Sequence, residues 1–181
     1  MIYKRKLNKK TDYRKRLKNL ISRKPRLVIR KSNKTIYVQI ISYNPDGDKT
    51  LASANSKELL KLGYLGSTKN IPSAYLTGLL ISKKAKEKSI KSITPDLGLR
   101  SAIKGSIPFA VIKGAKDGGL DLKIGKSVLP DESRIHGKHI MEFTKQKKSN
   151  SDLSNLEKKF IEIKTKLLEK WKLLKLKKKK M

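Results

Sequence analysis

Glu132, His136 and His139 recur at helical i, i+4, i+7 spacing, the arrangement in which one helix face offers a carboxylate and two imidazoles to a divalent cation. A structural zinc needs four well-placed donors, and the chain has no cysteine and no second ligand cluster, so the histidines read as surface or nucleic-acid-facing groups and no metal is expected. Gly114, Gly118 and Gly119 invite a phosphate-loop reading but lack the Gly-Lys-Ser/Thr ending that supplies the lysine and the magnesium ligand; a helix stop accounts for them. Ser53 and Ser56 have no base and orienting acid at a recognisable spacing, and read as cap and turn residues. No catalytic residue and no cofactor are expected.

The remaining chemistry is that of binding a polyanion. Fourteen of the first 31 residues are Lys or Arg against one acid, Asp12, and the whole chain carries a formal net charge of +31 on 181 residues. Self-repulsion on that scale opposes compaction unless counter-charge is near, so the expected working state is a complex with nucleic acid. Tyr13, Tyr37 and Tyr43 are interleaved with Arg14, Arg16, Arg26, Arg30, Lys31 and Lys34, a mixture suited to stacking on unpaired bases while pairing with phosphates. Tyr13 fits a core position equally well. The absence of cysteine points to a reducing compartment, and no apolar run approaches the ~20 residues that span a bilayer. A soluble protein with neither a membrane nor a small-molecule partner is expected.

The elements that must position these groups follow from periodicity. Residues 1–10 form a basic arm that should order only on a partner. Thr11 is placed to cap a short helix, with Asp12 in its first turn; Tyr13, Leu17, Leu20 and Ile21 give it one apolar face, and Arg14, Lys15, Arg16 and Lys18 the basic remainder. Leu27 and Ile29, then Ile36, Val38 and Ile40, alternate with Arg26, Arg30, Lys31, Tyr37 and Gln39, the period-2 signature of two half-buried strands joined by a turn at Ser32, Asn33 and Lys34. A second turn through Pro45 and Gly47 leads to a third strand near Lys49 to Ala54, predicting a three-stranded antiparallel meander with an outer polar face.

Ser56 is placed to cap a short helix closing at Gly63, and Asn70 with Pro72 to open a longer one through Ala85. A segment with Ile93 and Leu97 is expected as a fourth strand, reached by a crossover that favours parallel pairing. Ser106 and Pro108 open another apolar helix, and a last small one runs from Asp131 to Phe143. The fold class is therefore α/β, a mixed sheet with flanking helices. Ribonuclease-H-like enzymes share such a start, but their two-metal hydrolysis needs several convergent carboxylates. Here Asp46 and Asp48 lie in one turn while the strands present Arg, Lys and Gln.

The division expected is an arm over residues 1–10, an α/β domain over 11–143, a polar linker over 144–152 and a C-terminal helix over 153–181. In that helix Leu153, Leu156, Phe160, Ile163, Leu167, Trp171 and Leu174 recur at spacings of three and four, near a heptad seam. Phe160, Ile163, Leu167 and Trp171 are expected to dock on a partner.

Several blocks in series resemble a known family. Thr11-Asp12-Tyr13-Arg14-Lys15-Arg16-Leu17 is followed by Pro25-Arg26-Leu27-Val28-Ile29-Arg30-Lys31-Ser32, Gly47-Asp48-Lys49-Thr50-Leu51-Ala52-Ser53-Ala54 and Asn70-Ile71-Pro72-Ser73-Ala74-Tyr75-Leu76-Thr77-Gly78. Lys113-Gly114-Ala115-Lys116-Asp117-Gly118-Gly119-Leu120 and Leu129-Pro130-Asp131-Glu132-Ser133-Arg134-Ile135-His136-Gly137-Lys138-His139-Ile140 complete the series. In order and spacing, from about Tyr3 to Phe143, they resemble the universal large-subunit ribosomal protein eighteen family in its archaeal form, related to eukaryotic large-subunit protein five. The resemblance implies a translation-machinery fold without catalysis, located in the cytoplasmic ribosome. It implies binding to 5S rRNA and to large-subunit rRNA beside neighbouring central-protuberance ribosomal proteins. By matched position it points to Lys4, Arg5, Lys6, Lys9, Lys10, Arg14, Arg16, Arg26, Arg30, Lys31, Asn33 and Lys34 as RNA contacts. Tyr13, Lys18, Tyr37 and Gln39 join them from the residue reading. Ser106-Ile107-Pro108-Phe109 lacks an arginine that the family often shows there, and the extension after Thr144 has no mapped counterpart. The other reading carried forward is a basic architectural nucleic-acid-binding protein outside the ribosome.

Overall fold

The computed structural model describes residues 4–8, 11–146 and 155–179, the side chains of Arg5, Lys6, Lys145 and residues 169–179 excepted. The meander forms as the alternation predicts: β1 (Arg26–Lys31), β2 (Ile36–Ser42) and β3 (Lys49–Asn55) pair antiparallel, with Leu27 opposite Ile40 and Ile29 opposite Val38. A bulge between Ile40 and Ile41 lets β3 enter from the Pro45 turn. The short β4 (Thr94–Asp96) lies parallel to β1 after the helical crossover, giving the order β3-β2-β1-β4.

One face of the sheet is apolar and covered by two helices, α3 (Ile71–Glu87) and α4 (Ile107–Asp117). Asn70 caps α3, its side chain accepting from Ser73 N at 2.8 Å, and Pro72 sits in the first turn. Thirteen of its 17 residues are buried, so α3 is the central rod of the molecule. Its buried hydroxyls on Thr77 and Ser82 donate to carbonyls within the helix, at Ser73 and Leu79. Against α4 it touches backbone to backbone: a Cβ on Gly78 would stand 2.2 Å from the Val111 carbonyl oxygen, and one on Gly114 2.1 Å from that of Tyr75.

A rod buried on nearly every side needs a second cover, and the C-terminal helix supplies it. Leu156, Phe160, Ile163 and Leu167 of this helix (Leu156–Lys179) are buried in the chain's own core against α3. The expected partner-docking stripe is thus turned inward, because four buried apolar side chains at ~1.5–3 kcal/mol each outweigh the cost of tethering the helix. Trp171, the fourth residue of that expectation, has its side chain outside the described residues.

Three local expectations are corrected. The cap of the first amphipathic helix, α2 (Tyr13–Ile21), which follows the single helical turn α1 (Lys4–Leu7) in the basic arm, is Asp12 and not Thr11; its carboxylate accepts from Arg14 N and Lys15 N at 3.0 and 3.1 Å. Asn55, not Ser56, caps the 3-10 helix Ser56–Leu62 in a capping box with Glu58, while Ser56 Oγ accepts from Ile36 N at 3.0 Å. The expected helix over 131–143 is broken by Gly137, at φ +79°, into α5 (Glu132–His136) and α6 (Lys138–Gln146).

Candidate nucleic-acid interface

Strand alternation sends Arg26, Val28, Arg30, Tyr37, Gln39 and Ser53 to the sheet face opposite α3 and α4. Helix α2 lies along one side of this outer face and the loop after β4 along the other, enclosing a cleft of about 650 Å³ lined by Lys15, Arg16, Arg30, Lys31, Leu99 and Arg100 among others. Its floor is held by a chain of alternating charges. Arg16 Nη2 reaches Asp48 Oδ1 at 3.1 Å, and the other Asp48 oxygen accepts from Arg26 Nη2 at 2.6 Å. Arg26 Nη1 then donates to Asp96 Oδ2 at 2.9 Å. Asp96 Oδ1 accepts from Gly98 N at 2.8 Å and lies 3.6 Å from Arg30 Nη2, while Arg30 Nη1 donates to the Asp96 carbonyl at 3.1 Å.

The consequence is a division among the arginines. Arg26, expected to contact nucleic acid, is 4% exposed and buried between two carboxylates, so it braces the face from below. Its two acids neutralise it locally, whereas the Arg30 side chain is half exposed at the cleft wall. Lys4, Arg14 and Lys18 are exposed, as are Asn33 and Lys34 at the β1–β2 turn; Arg16 and Lys31 are half-buried. That turn is fixed by Ser32 Oγ, which accepts from Thr35 N at 2.9 Å, and by Thr68, which donates to the Lys34 carbonyl at 2.5 Å. Lys9 and Lys10 lie outside the described residues, as do the side chains of Arg5 and Lys6.

Among the aromatics Tyr37, on the inner strand β2 near the β1–β2 turn, is 47% exposed on the outer face. Hydrogen bonds from the Thr35 and Asn55 side chains, with a further contribution from the charge of Lys57, hold its hydroxyl below the ordinary phenol range despite an opposing effect of burial. Those bonds anchor the ring beside half-buried Gln39 in a pose open to stacking. Tyr13 is half-buried at the start of α2. The apolar face predicted for α2 is only partly covered: Tyr13 and Leu20 are half-buried, while Leu17 is 64% and Ile21 80% exposed.

The carboxylate-histidine trio does not converge. The break at Gly137 sends His139 away from the other two, and Glu132 is engaged by Lys113 at 2.5 Å. His136 packs on the Phe160 ring at 5.1 Å between centroids, with Glu132 and Glu157 each about 4 Å from its ring nitrogens. Among the described residues no three His, Asp or Glu side chains are grouped to hold a metal ion. The residues that sequence reasoning missed are Asp96 and Arg100. Asp96 is 70 positions from its partner Arg26, and Arg100 sits in an irregular loop where periodicity carries no signal.

Comparison with known proteins identifies relatives of the chain. A family model described as ribosomal large subunit proteins 60S L5 and 50S L18 matches residues 1–94, the segment that carries the arm, α2 and the meander. The large ribosomal subunit protein uL18 of Methanobrevibacter smithii is 47% identical over 160 residues, 88% of this chain and 82% of the relative. That of Methanothermobacter thermautotrophicus is 50% identical over 143 residues, 79% and 74% of the two chains. That of Methanoregula boonei is 44% identical over 155 residues, 86% and 88% of the two. A family model over more than half of the chain and identities of 44–50% over most of it show that the chain belongs to the family of ribosomal large subunit proteins 60S L5 and 50S L18, structural constituents of the ribosome and not enzymes.

Proposed function

We propose that the chain binds 5S rRNA through its basic arm, α2 and the outer sheet face, and attaches it to large-subunit rRNA in the central protuberance beside neighbouring ribosomal proteins. Family membership places the protein in the ribosome, a cytoplasmic particle. The observation that carries the finer reading is the charge arrangement of the outer face: Asp48 and Asp96 are both turned onto buried Arg26, while Arg14, Lys18 and Lys34 stay exposed and Arg30, though also paired with Asp96, is half exposed beside Tyr37 and Gln39. Phosphate contacts from the cations position the protein, while shape, 2′-hydroxyls and stacked bases select the RNA, since A-form grooves hide base edges from side chains.

The test is a competition between 5S rRNA and duplex DNA at matched salt. Counterion release alone cannot favour one polyanion strongly, so a preference of about a thousandfold or more supports specific recognition. Equal affinity for both would replace this reading with that of a general architectural binder.

A further inference from the structure

Beyond β4 the chain forms a second cleft, of about 690 Å³, between the loop at 100–108, the start of α3 and the α5–α6 corner. Its rim carries Lys31, Arg100, Lys104, Arg134 and His139, and no carboxylate lines it. Lys104 and Arg134 are exposed, and neither makes an ion pair among the described residues. Between these cations the lining is aliphatic, with Ile103, Ile107, Pro108 and Ile140, and Ile103 is 64% exposed. Lys31 and Arg100 also line the first cleft, so the two share a cationic ridge.

From this arrangement we infer that the second cleft is a separate RNA-binding surface that takes an unpaired segment. An aliphatic floor under a cationic rim matches an unstacked nucleotide, whose base is apolar on its faces and whose phosphate is anionic. A paired helix would keep its bases inside and leave the floor unused. His139 on the rim is held below the ordinary imidazole range, first by burial and then by the charge of Arg134, which Glu142 offsets only in part. Position supports the same reading. Lys104 from the 100–108 loop and Arg134 from α5 bring positive charge to the cleft from two separate segments. This inference rests on the proposed attachment of 5S rRNA to a second RNA, and assigns the chain a surface for the second contact.

The experiment uses the full chain, free and saturated with 5S rRNA, titrated with fluorescent decauridylate. The expected result is that the saturated chain still binds the oligomer, and that Lys104→Ala with Arg134→Ala weakens this binding about tenfold and lowers its log-log salt slope by about 1.4, two single-strand contacts' worth. Affinity for 5S rRNA should change less than about twofold, and an unchanged thermal melt shows the variant folded. Crosslinking of 4-thiouridine from the oligomer to residues 100–108 or 134–140 of the wild-type chain supports the assignment without any substitution. The inference is overturned if the wild-type complex binds no oligomer, or if the double variant binds it as wild type does. Failure of the 5S reading would appear separately, as absent 5S preference, and the same titration of the free chain still decides the cleft.

Discussion

Replacing Asp96 by Ala tests whether the acid under the outer face is scaffold or contact. Arg26 is buried, and the substitution removes one of the two carboxylates that hold it, together with the acceptor for Gly98 N. Breaking a buried pair by removing one partner costs roughly 3–5 kcal/mol. Asp48 remains at 2.6 Å on the other guanidinium nitrogen, which retains part of that, so the expected loss is about 3 kcal/mol. At about 2–4 °C per kcal/mol for a chain of this size, the melting temperature should fall by about 6–12 °C. Urea denaturation followed by far-UV circular dichroism measures the loss directly. Asp48 is 23% exposed at its side chain, so Asp48→Ala alone should cost less, about 1–2 kcal/mol, because water can reach the vacated position. The double variant strands Arg26 without an anion and should exceed the sum of the two by about 1 kcal/mol or more. A cost below about 0.5 kcal/mol for Asp96→Ala, or strict additivity with Asp48→Ala, would refute the bracing role. Affinity for 5S rRNA should hold in the folded variant, since a negative group has been removed from beneath Arg30; its collapse would make Asp96 part of the contact surface.

Phe160→Ala removes a ring buried between Tyr75 and His136, at 5.8 and 5.1 Å between centroids, and should cost about 3–5 kcal/mol in urea denaturation. An unchanged midpoint would mean the C-terminal helix does not complete the core. Glu132 is held below the ordinary carboxylate range first by its hydrogen bond to Lys113, so its contribution is present above the unfolded value of 4.5 and lost as pH falls through the lower folded one. Glu132→Gln should therefore be less stable than wild type at pH 7, by under about 1 kcal/mol because the side chain is largely exposed, and the gap should close as pH falls below 4.5 and through the lower folded value. A gap that does not narrow as pH falls below 4.5 would assign the effect to packing.

The meander was legible because its turns are short and its alternation strict, so each strand's pairing and face followed from its own residues. The fourth strand followed from topology, with only three residues in its ladder. Helix ends were read one residue off at Thr11 and Ser56 because each adjoins a second good capping residue, Asp12 or Asn55, and backbone geometry chooses between them. The break at Gly137 carried a signal that helical spacing outvoted: glycine in the left-handed region ends a helix. Spacing in the C-terminal helix fixed which face is apolar and could not name what covers it. The near-complete burial of α3 supplies that answer, since a helix apolar on all sides needs cover beyond the sheet. In the site, residue type found the cations. It could not find which arginine is withdrawn, because Arg26 meets its acids 22 and 70 residues away.

The inward-facing C-terminal helix also sets a timetable for the newborn chain. The chain's basic outer face is complete in sequence at Arg100, yet the interior is sealed only by Leu156 through Leu167, more than fifty residues later. At about 5–20 residues per second, synthesis leaves that interior uncapped for on the order of ten seconds. During this interval an apolar rod stands open in a polypeptide whose excess of positive charge makes nascent copies repel one another, so the property that suits the finished protein to RNA also protects it from clumping while it is being made.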